Sequence, residues 1–337
     1  MKIAFHIGSS DFNPRWIKYC IANNIPFKEV NCYDGDIIEQ LSDCDILMWQ
    51  HHQSHPKDIL FAKQLLFALE QTGKIVFPDF NTAWHFDDKV GQKYLLEAVN
   101  GYLAPSWVFY EKDKALSWAK ETSYPKVFKL RGGAGSQNVR LVRNKSEAYR
   151  LIKKAFGKGF NNFDRWRAFK ERFRKYSEGY SPFLDVLKAT VRLVIPPAYS
   201  KVMGKEFGYI YFQEFIPGND SDTRIIVIGD KAFALKRMVR KNDFRASGSG
   251  SIRYAKSEID ERCVKMAFEI NEKLNAQCLA YDFVFDGENK PVLVEISYGF
   301  SANAYDKCEG YWNKQMEWCE GAFDPYGWMI EMMIKKD

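Results

Sequence analysis

Three glycines within four residues, Gly132, Gly133 and Gly135, separate two strand-like runs at residues 126–130 and 139–142. A regular helix or strand through such a stretch would be weak, because glycine loses more conformational freedom on ordering than any other residue. The chain is therefore expected to reverse there, strand to strand. With no Cβ atoms in the way, the turn can bring its N–H groups close to an anion. Lys129 and Arg131 stand just before the glycines and Ser136 just after, so positive charge and a hydroxyl flank the turn. The GxxxxGK[ST] pattern is missing and no helix follows, which excludes a Walker-type phosphate loop. Taken alone, the turn reads as a flexible surface hairpin or as a phosphate cradle.

The chain around it has 337 residues, 46% hydrophobic and 16% aromatic, enough for a large core in two or three subdomains. No apolar run reaches the roughly 18 residues of a membrane span. The opening MKIAFHIGSS reads as a first core strand, not as a signal peptide. Seven scattered cysteines with no CxxC pair imply reduced thiols and a cytoplasmic protein. His51, His52 and His55 cluster, but no cysteine or acid keeps ligand spacing with them, so no metal is expected there. The formal charge of +6 is uneven: residues 150–176 hold ten Lys or Arg against two Asp or Glu. Phe156, Phe160, Phe163, Trp166, Phe169 and Phe173 are interleaved with them. The plain reading is a solvated helix whose aromatic stripe packs on a neighbour. The functional reading is a docking surface for an anionic glycan, a lipid-linked carrier or a nucleic acid.

Strand and helix patterns alternate over residues 1–85, with strands at 2–7, 27–31, 44–50 and 75–77 and helices at 14–23, 34–41 and 56–71. That alternation predicts a small parallel α/β domain, serving as acceptor site or scaffold. One helix is expected over residues 82–100, carrying Asp87, Asp88 and Lys89. Further strands fall at 107–110, 208–216, 223–229 and 232–239, and a helix at 113–121. A second Gly/Ser-rich stretch beside Arg245, residues 242–251, suits either a phosphate or a plain loop. After an amphipathic helix at 257–276, strands 278–285 and 291–297 form a hairpin. Folding it about its loop brings Asp282 opposite Glu295, with Cβ atoms about 5 Å apart. Two such carboxylates repel unless a cation lies between them. Oxygen ligands from two strands suit Mg²⁺ shared with substrate phosphates; pairing of either acid with a nearby Lys or Arg is the alternative.

In combination these features resemble the ATP-grasp superfamily, most closely its ribosomal-protein-glutamate-ligase and glutathione-synthetase-like branch. The residues that carry the resemblance are the lysine before the glycine hairpin, Gln213-Glu214-Phe215-Ile216, Asp222-Thr223-Arg224, the Arg/Gly-rich loop and the final Asp282…Glu295-Ile296-Ser297 hairpin. They span residues 82–302. The tail at 305–321 is similar to ATP-grasp proteins of bacterial surface polysaccharide loci. The resemblance implies an α/β ATP-grasp fold: an N-terminal domain at 1–85, then an ATP-grasp region at 86–330 with a lid at about 107–212 and a catalytic subdomain at about 213–330.

It also implies roles. Lys89, Lys129 and Arg131 would meet ATP phosphates under the hairpin of Gly132, Gly133, Gly135 and Ser136. Glu214, Phe215 and Ile216 would receive adenine, and Asp222 would make ribose- or substrate-side contacts. Arg237 and Arg245 would act on the transferring phosphoryl group and the acylphosphate oxygens, with Ser247 near the substrate as a further catalytic residue. Asp282, Glu295 and Ser297 would hold Mg²⁺, with Ser297 and Ser247 where relatives carry Asn. The implied reaction is ATP-dependent carboxylate–amine ligation through an acylphosphate. For its carboxylate, a hexuronate or other sugar acid of a polysaccharide precursor stands beside an amino acid joined to a peptide or protein. A regulatory protein that binds ATP without turnover is the rival from another class.

Overall fold

The computed structural model describes residues 1–8, 10–133, 138–177, 179, 182–239, 243–246, 248 and 250–335. Short apolar runs form the first sheet. Its strands β1 (Ile3–His6), β2 (Phe27–Val30), β3 (Ile46–Met48) and β4 (Ile75–Phe77) lie parallel in the order β2-β1-β3-β4. All three residues of β3 are buried, as expected of a strand covered on both faces. Alternate residues feed different cores: Ile3, Phe5, Ile46 and Met48 meet Trp16 of helix Asn13–Ala22, and Ala4 and Leu47 meet Leu66 of helix Pro56–Gln71.

The second sheet is antiparallel. It contains β5 (Ser106–Phe109), β6 (Lys126–Lys129) and β7 (Val139–Val142), the last two joined across the glycine turn as expected. A two-stranded ribbon follows, β8 (Phe160–Asn161) with β9 (Lys205–Glu206), and then β10 (Ile210–Glu214) inserts between β5 and β6. Helices Lys112–Glu121 and Lys145–Ala155 close its core on Phe128 and Phe212.

The third sheet takes β11 (Ser221–Ile228), β12 (Lys231–Met238), β13 (Ile252–Arg253), β14 (Cys278–Phe285), β15 (Pro291–Ser297), β16 (Gly310–Asn313) and β17 (Trp318–Glu320). One face packs Ile225, Val227 and Tyr281 on helix Glu261–Leu274. The other packs Ile226, Phe233, Leu235 and Ala280 against the first sheet and helix Pro325–Ile334. The tail residues form the β16–β17 hairpin, which extends this sheet beside β12 and buries Trp312. Structural packing thus accounts for their aromatic content.

Two expectations are corrected. Residues 82–100 are not one helix: Phe80–Ala83 ends, and Lys89–Ala98 begins after Asp87, which sits at φ +55°. The Asp88 carboxylate caps the new helix, so local hydrogen bonding wins over helical periodicity. Nor are residues 150–176 a single helix, because β8 divides helix Lys145–Ala155 from helix Arg165–Ser177.

Candidate active site

The loop before Lys89, the glycine turn and a bulged strand converge on Glu295. Asp88 accepts the Val90 and Gly91 N–H groups at 3.1 and 2.9 Å, which makes Lys89 the first helical residue. The Lys89 Nζ donates to Gly133 O at 2.9 Å and lies 3.2 Å from Glu295 Oε1. Its backbone N–H donates to Arg131 O at 3.0 Å, and the Gly133 N–H donates to Asp87 Oδ1 at 2.7 Å. Gly133 has φ +116°, and a Cβ there would stand 2.6 Å from Asn138 Nδ2, so the turn requires glycine.

The register between β14 and β15 shifts after the Asp282–Glu295 pair, which leaves Val294 unopposed. Such a bulge re-aims the backbone. The Val294 carbonyl accepts from Lys129 Nζ at 3.1 Å and Gln213 Nε2 at 3.4 Å, joining the second sheet to the third.

Across the third sheet the side-chain alternation continues, but its character changes from apolar to charged. Arg237 opposes Asp222, Arg224 opposes Asp282, and Asp282 opposes Glu295. Arg237 Nε and NH2 reach Asp222 Oδ1 and Oδ2 at 2.7 and 2.6 Å, and NH2 is also 2.9 Å from Asp282 Oδ2. Arg224 Nε lies 3.0 Å from Asp282 Oδ1, although the contact is not aligned as a hydrogen bond. Both acids of the hairpin are therefore paired with cations, the alternative weighed from the sequence.

The charges tune one another. Burial pushes the Lys129 ammonium down to about 8, with Glu295 opposing that shift and Lys89 adding to it. Burial would raise the half-buried Glu295 carboxyl, but Lys89 and Lys129 hold it down at about 2. Burial raises Asp87 to about 6 despite Lys89 and the Gly133 N–H. Burial alone would lower Arg237; Asp282 and Asp222 outweigh it and raise it well above its usual value. A pH dependence follows for Lys129. Its charge attracts phosphate below about 8 and is lost above, so ATP affinity in the wild type should weaken as pH rises through that value. Titrating nucleotide binding against pH checks this, and Lys129→Arg, always charged, should flatten the alkaline limb. An unchanged limb in that variant would assign it to another group.

The fit to Mg²⁺ can be tested on the donors. Among the described residues no group of three His, Cys, Asp or Glu converges as a complete metal site. Asp282 and Glu295 are two adjacent carboxylates, and Asp282 Oδ1 is buried without an aligned donor. The Ser297 hydroxyl donates to Gly299 O at 3.0 Å, which leaves its lone pairs to accept. Two carboxylates fit Mg²⁺, which takes most of its remaining ligands from phosphate and water.

Other expected residues stand further from this cluster. Glu214 pairs with the buried Lys126 at 2.7 Å, and Phe215 meets Phe244 edge-on at 5.8 Å. Ile216 O accepts from Asn219 Nδ2 at 3.3 Å. Arg131 is largely exposed, 3.9 Å from Asp88 and 4.0 Å from Glu206. Gly132 O accepts from Asn138 Nδ2 at 3.2 Å. Arg245 is held by Asp243, its Nε 2.9 Å from both carboxylate oxygens. Gly135, Ser136 and Ser247 lie outside the described residues.

Sequence reasoning missed Arg224, Asp87 and a cavity of about 440 Å³ between the first sheet and Arg224. Its walls include His6, Tyr33, Trp49, His51 and Phe300. Asp58 is tied there by Tyr33 OH, by His55 Nδ1 at 2.9 Å and by the His52 N–H at 2.7 Å. Burial lowers His6 to about 4 and His51 to about 3, so both imidazoles are neutral near pH 7. The available sequence signal was Arg224 itself, a charge two residues after Asp222 where the strand turns apolar.

The sequence matches the RimK-like ATP-grasp domain family over residues 198–310 and the ATP-binding domain of the carbamoyl-phosphate synthase L chain over residues 88–178. The chain belongs to the ATP-grasp superfamily. Its family is that of ATP-dependent carboxylate–amine ligases, enzymes that use ATP and Mg²⁺. A curated relative, the alpha-aminoadipate–LysW ligase LysX of Saccharolobus solfataricus, is 21% identical over 290 residues, covering 84% of this chain and 88% of that protein. The RimK domain ATP-grasp protein of Sphaerobacter thermophilus superposes with a TM-score of 0.56 at 13% identity, covering 99% of this chain and all of that one. The biotin carboxylase domain of Hydrogenobacter thermophilus 2-oxoglutarate carboxylase, solved with MgADP, gives 0.63 at 12%, covering 99% and 70%.

Proposed function

We propose that the ligase activates a small carboxylate held in the cavity beside Arg224 and joins it to an amine. The observation that carries this reading is adjacency. Arg224 lines the cavity and also touches Asp282, the partner of Glu295, so an acid bound at its guanidinium lies next to the phosphate-binding lysines. Residues 1–85 then supply the acceptor walls, residues 107–212 a lid, and residues 213–330 the charged floor.

In the proposed reaction one carboxylate oxygen attacks the γ-phosphorus, the bond to ADP breaks, and an acylphosphate forms. The amine then adds to the acyl carbon and phosphate leaves, with one amine proton lost. Lys89 and Lys129 neutralise charge on the phosphoryl oxygens, and Arg224 orients the carboxylate. This is positioning and electrostatic work, for which no protein nucleophile is needed. Mg²⁺, which Asp282 and Glu295 would hold, supplies further neutralisation of the phosphates. The Gly133 turn, fastened by Asp87 and Lys89, would keep water from the acylphosphate.

For the carboxylate, an amino acid joined to a peptide or protein is the first reading, supported by the similarity to the alpha-aminoadipate–LysW ligase. A hexuronate or other sugar acid is the second. The imidazole and aromatic walls suit a hydroxyl-bearing body behind a single carboxylate, while Asp11 and Asp58 in the same lining suit the ammonium group of an amino acid. An anionic glycan or lipid-linked carrier at residues 150–176 would belong to that second reading.

ADP release measured against amino acids, peptides and hexuronates, each with and without amines, tests both. Turnover that needs one acid and one amine supports the ligase reading, and the acid chosen decides between the two. Arg224→Gln should raise the KM for that acid roughly a hundredfold and leave ATP affinity nearly unchanged. An Arg224→Gln enzyme with normal KM would remove the cavity from the site.

A further inference from the structure

Between β8 and β9 the chain leaves the second sheet as a pair of packed helices, Arg165–Ser177 and Phe183–Val194, and returns through helix Ala198–Met203. The second helix has two different sides. Val186 and Ala189 are buried, and Asp185 reaches Arg172 of the first helix at 3.7 Å. On the opposite side Phe183, Leu184, Leu187, Val191 and Val194, with Ile195 just beyond the helix, are between 48% and 76% exposed. At 100° per residue these six fall within an arc of roughly 120°, an unbroken apolar stripe with no polar member. Trp166, Phe173 and Tyr176 of the first helix are also exposed, and Tyr176 packs its ring 5.4 Å from Phe183. Stripes of this kind on soluble chains mark binding surfaces.

The stripe also sits in the most basic region of the chain. Residues 150–205 hold fourteen Lys or Arg against four Asp or Glu, a surplus larger than the net +6 of the whole protein. The remainder of the chain is therefore net negative, and the positive surplus lies in residues 150–205, which include this hairpin.

We propose that the hairpin is a membrane-docking surface: the stripe of helix Phe183–Val194 enters the interface of an anionic bilayer, and the basic side chains meet its headgroups. A bilayer takes an aliphatic stripe and a diffuse positive field together, without requiring a matched hydrogen-bond partner. Exposed Trp166 and Tyr176 belong to the residue types enriched at membrane–water interfaces. Among the described residues no helix is long and apolar enough to cross a membrane, so the attachment is peripheral. A second copy of the chain fits this face poorly, because a two-fold contact would set two strongly positive hairpins against each other. The site chemistry is untouched by this attachment, and the proposal holds whichever carboxylate the ligase takes.

The test is flotation of the full chain with phosphatidylcholine vesicles, with and without phosphatidylglycerol. Recovery with the anionic vesicles only, weakening as salt is raised, is the expected result. Leu184→Glu with Val191→Glu should abolish it, and Lys188→Glu with Arg192→Glu should lower partitioning roughly thirtyfold. All four positions are exposed, so both variants should fold, with circular dichroism and ADP release as the check. Equal recovery with neutral and anionic vesicles, or recovery indifferent to both variants, overturns the proposal. So does a concentration-dependent dimer that Leu184→Glu with Val191→Glu abolishes, which would make a second copy the occupant. Retention on immobilised polyglutamate without vesicle binding would overturn it in favour of an acidic polypeptide.

Discussion

Glu295→Gln should reduce ADP formation by roughly a hundred- to a thousandfold, the range seen when one preorganised charge-stabilising group is removed. Glu295 touches Lys89 and opposes Asp282, so the change removes charge from the lysine cluster and from the hairpin pair together. The direction of the binding effects is more diagnostic than the rate. With its negative charge gone, Lys89 and Lys129 face phosphate without a competitor, so Mg²⁺-free ADP should bind more tightly. Affinity for MgATP should fall, because a hard-cation ligand has been lost. The Lys129 pKa should drop further below about 8, since Glu295 supports its charged form. The alkaline limb of nucleotide binding then moves to lower pH. Calorimetric titrations with and without Mg²⁺ read all three shifts. Tighter binding of MgATP and Mg²⁺-free ADP alike would show that Glu295 acts only as a counter-ion.

Removing Arg237 should damage the fold before it damages chemistry. Its guanidinium is almost fully buried between Asp222 and Asp282, with contacts of 2.6 to 2.9 Å to both. Breaking a buried charge pair from one side costs about 3–5 kcal/mol, because an uncompensated charge stays behind. Against a typical stability of about 5–15 kcal/mol this is a large fraction, and Arg237→Ala should lower Tm by roughly 5 °C. Adding Asp222→Asn should recover part of the loss, since one stranded carboxylate is then neutral. Thermal denaturation of the two variants decides the matter. An Arg237→Ala protein of unchanged Tm but no turnover would instead put the guanidinium on the phosphoryl group, as the resemblance implied.

Much of this arrangement was legible before any coordinates. The hairpin argument placed Asp282 opposite Glu295 from loop length alone, because strand pairing across a short turn is a local matter. The glycine turn between β6 and β7 was readable for the same reason: it depends on backbone freedom within a few residues. What could not be read were contacts between distant segments. Arg224 meets Asp282 only because β11 pairs with β14, more than fifty residues apart in the chain. The break at Asp87 was hidden because residues on both sides of it keep helical spacing, while the Asp88 cap and the Gly133 N–H decide the backbone. The cavity was hidden too, since its walls come from the ends of the first sheet and from Arg224.

By itself, then, the sequence determined the alternating strands and helices of the first sheet, the carboxylate pair and the ATP-grasp likeness, all of which depend on spacing within one or two neighbouring elements. The tertiary structure alone decided which cations answer those carboxylates, that Val294 bulges to reach Lys129, and that the histidines line a cavity as neutral rings. Those outcomes depend on burial and on Coulomb interactions between groups far apart in the chain. Neither quantity is defined until the three sheets have packed together.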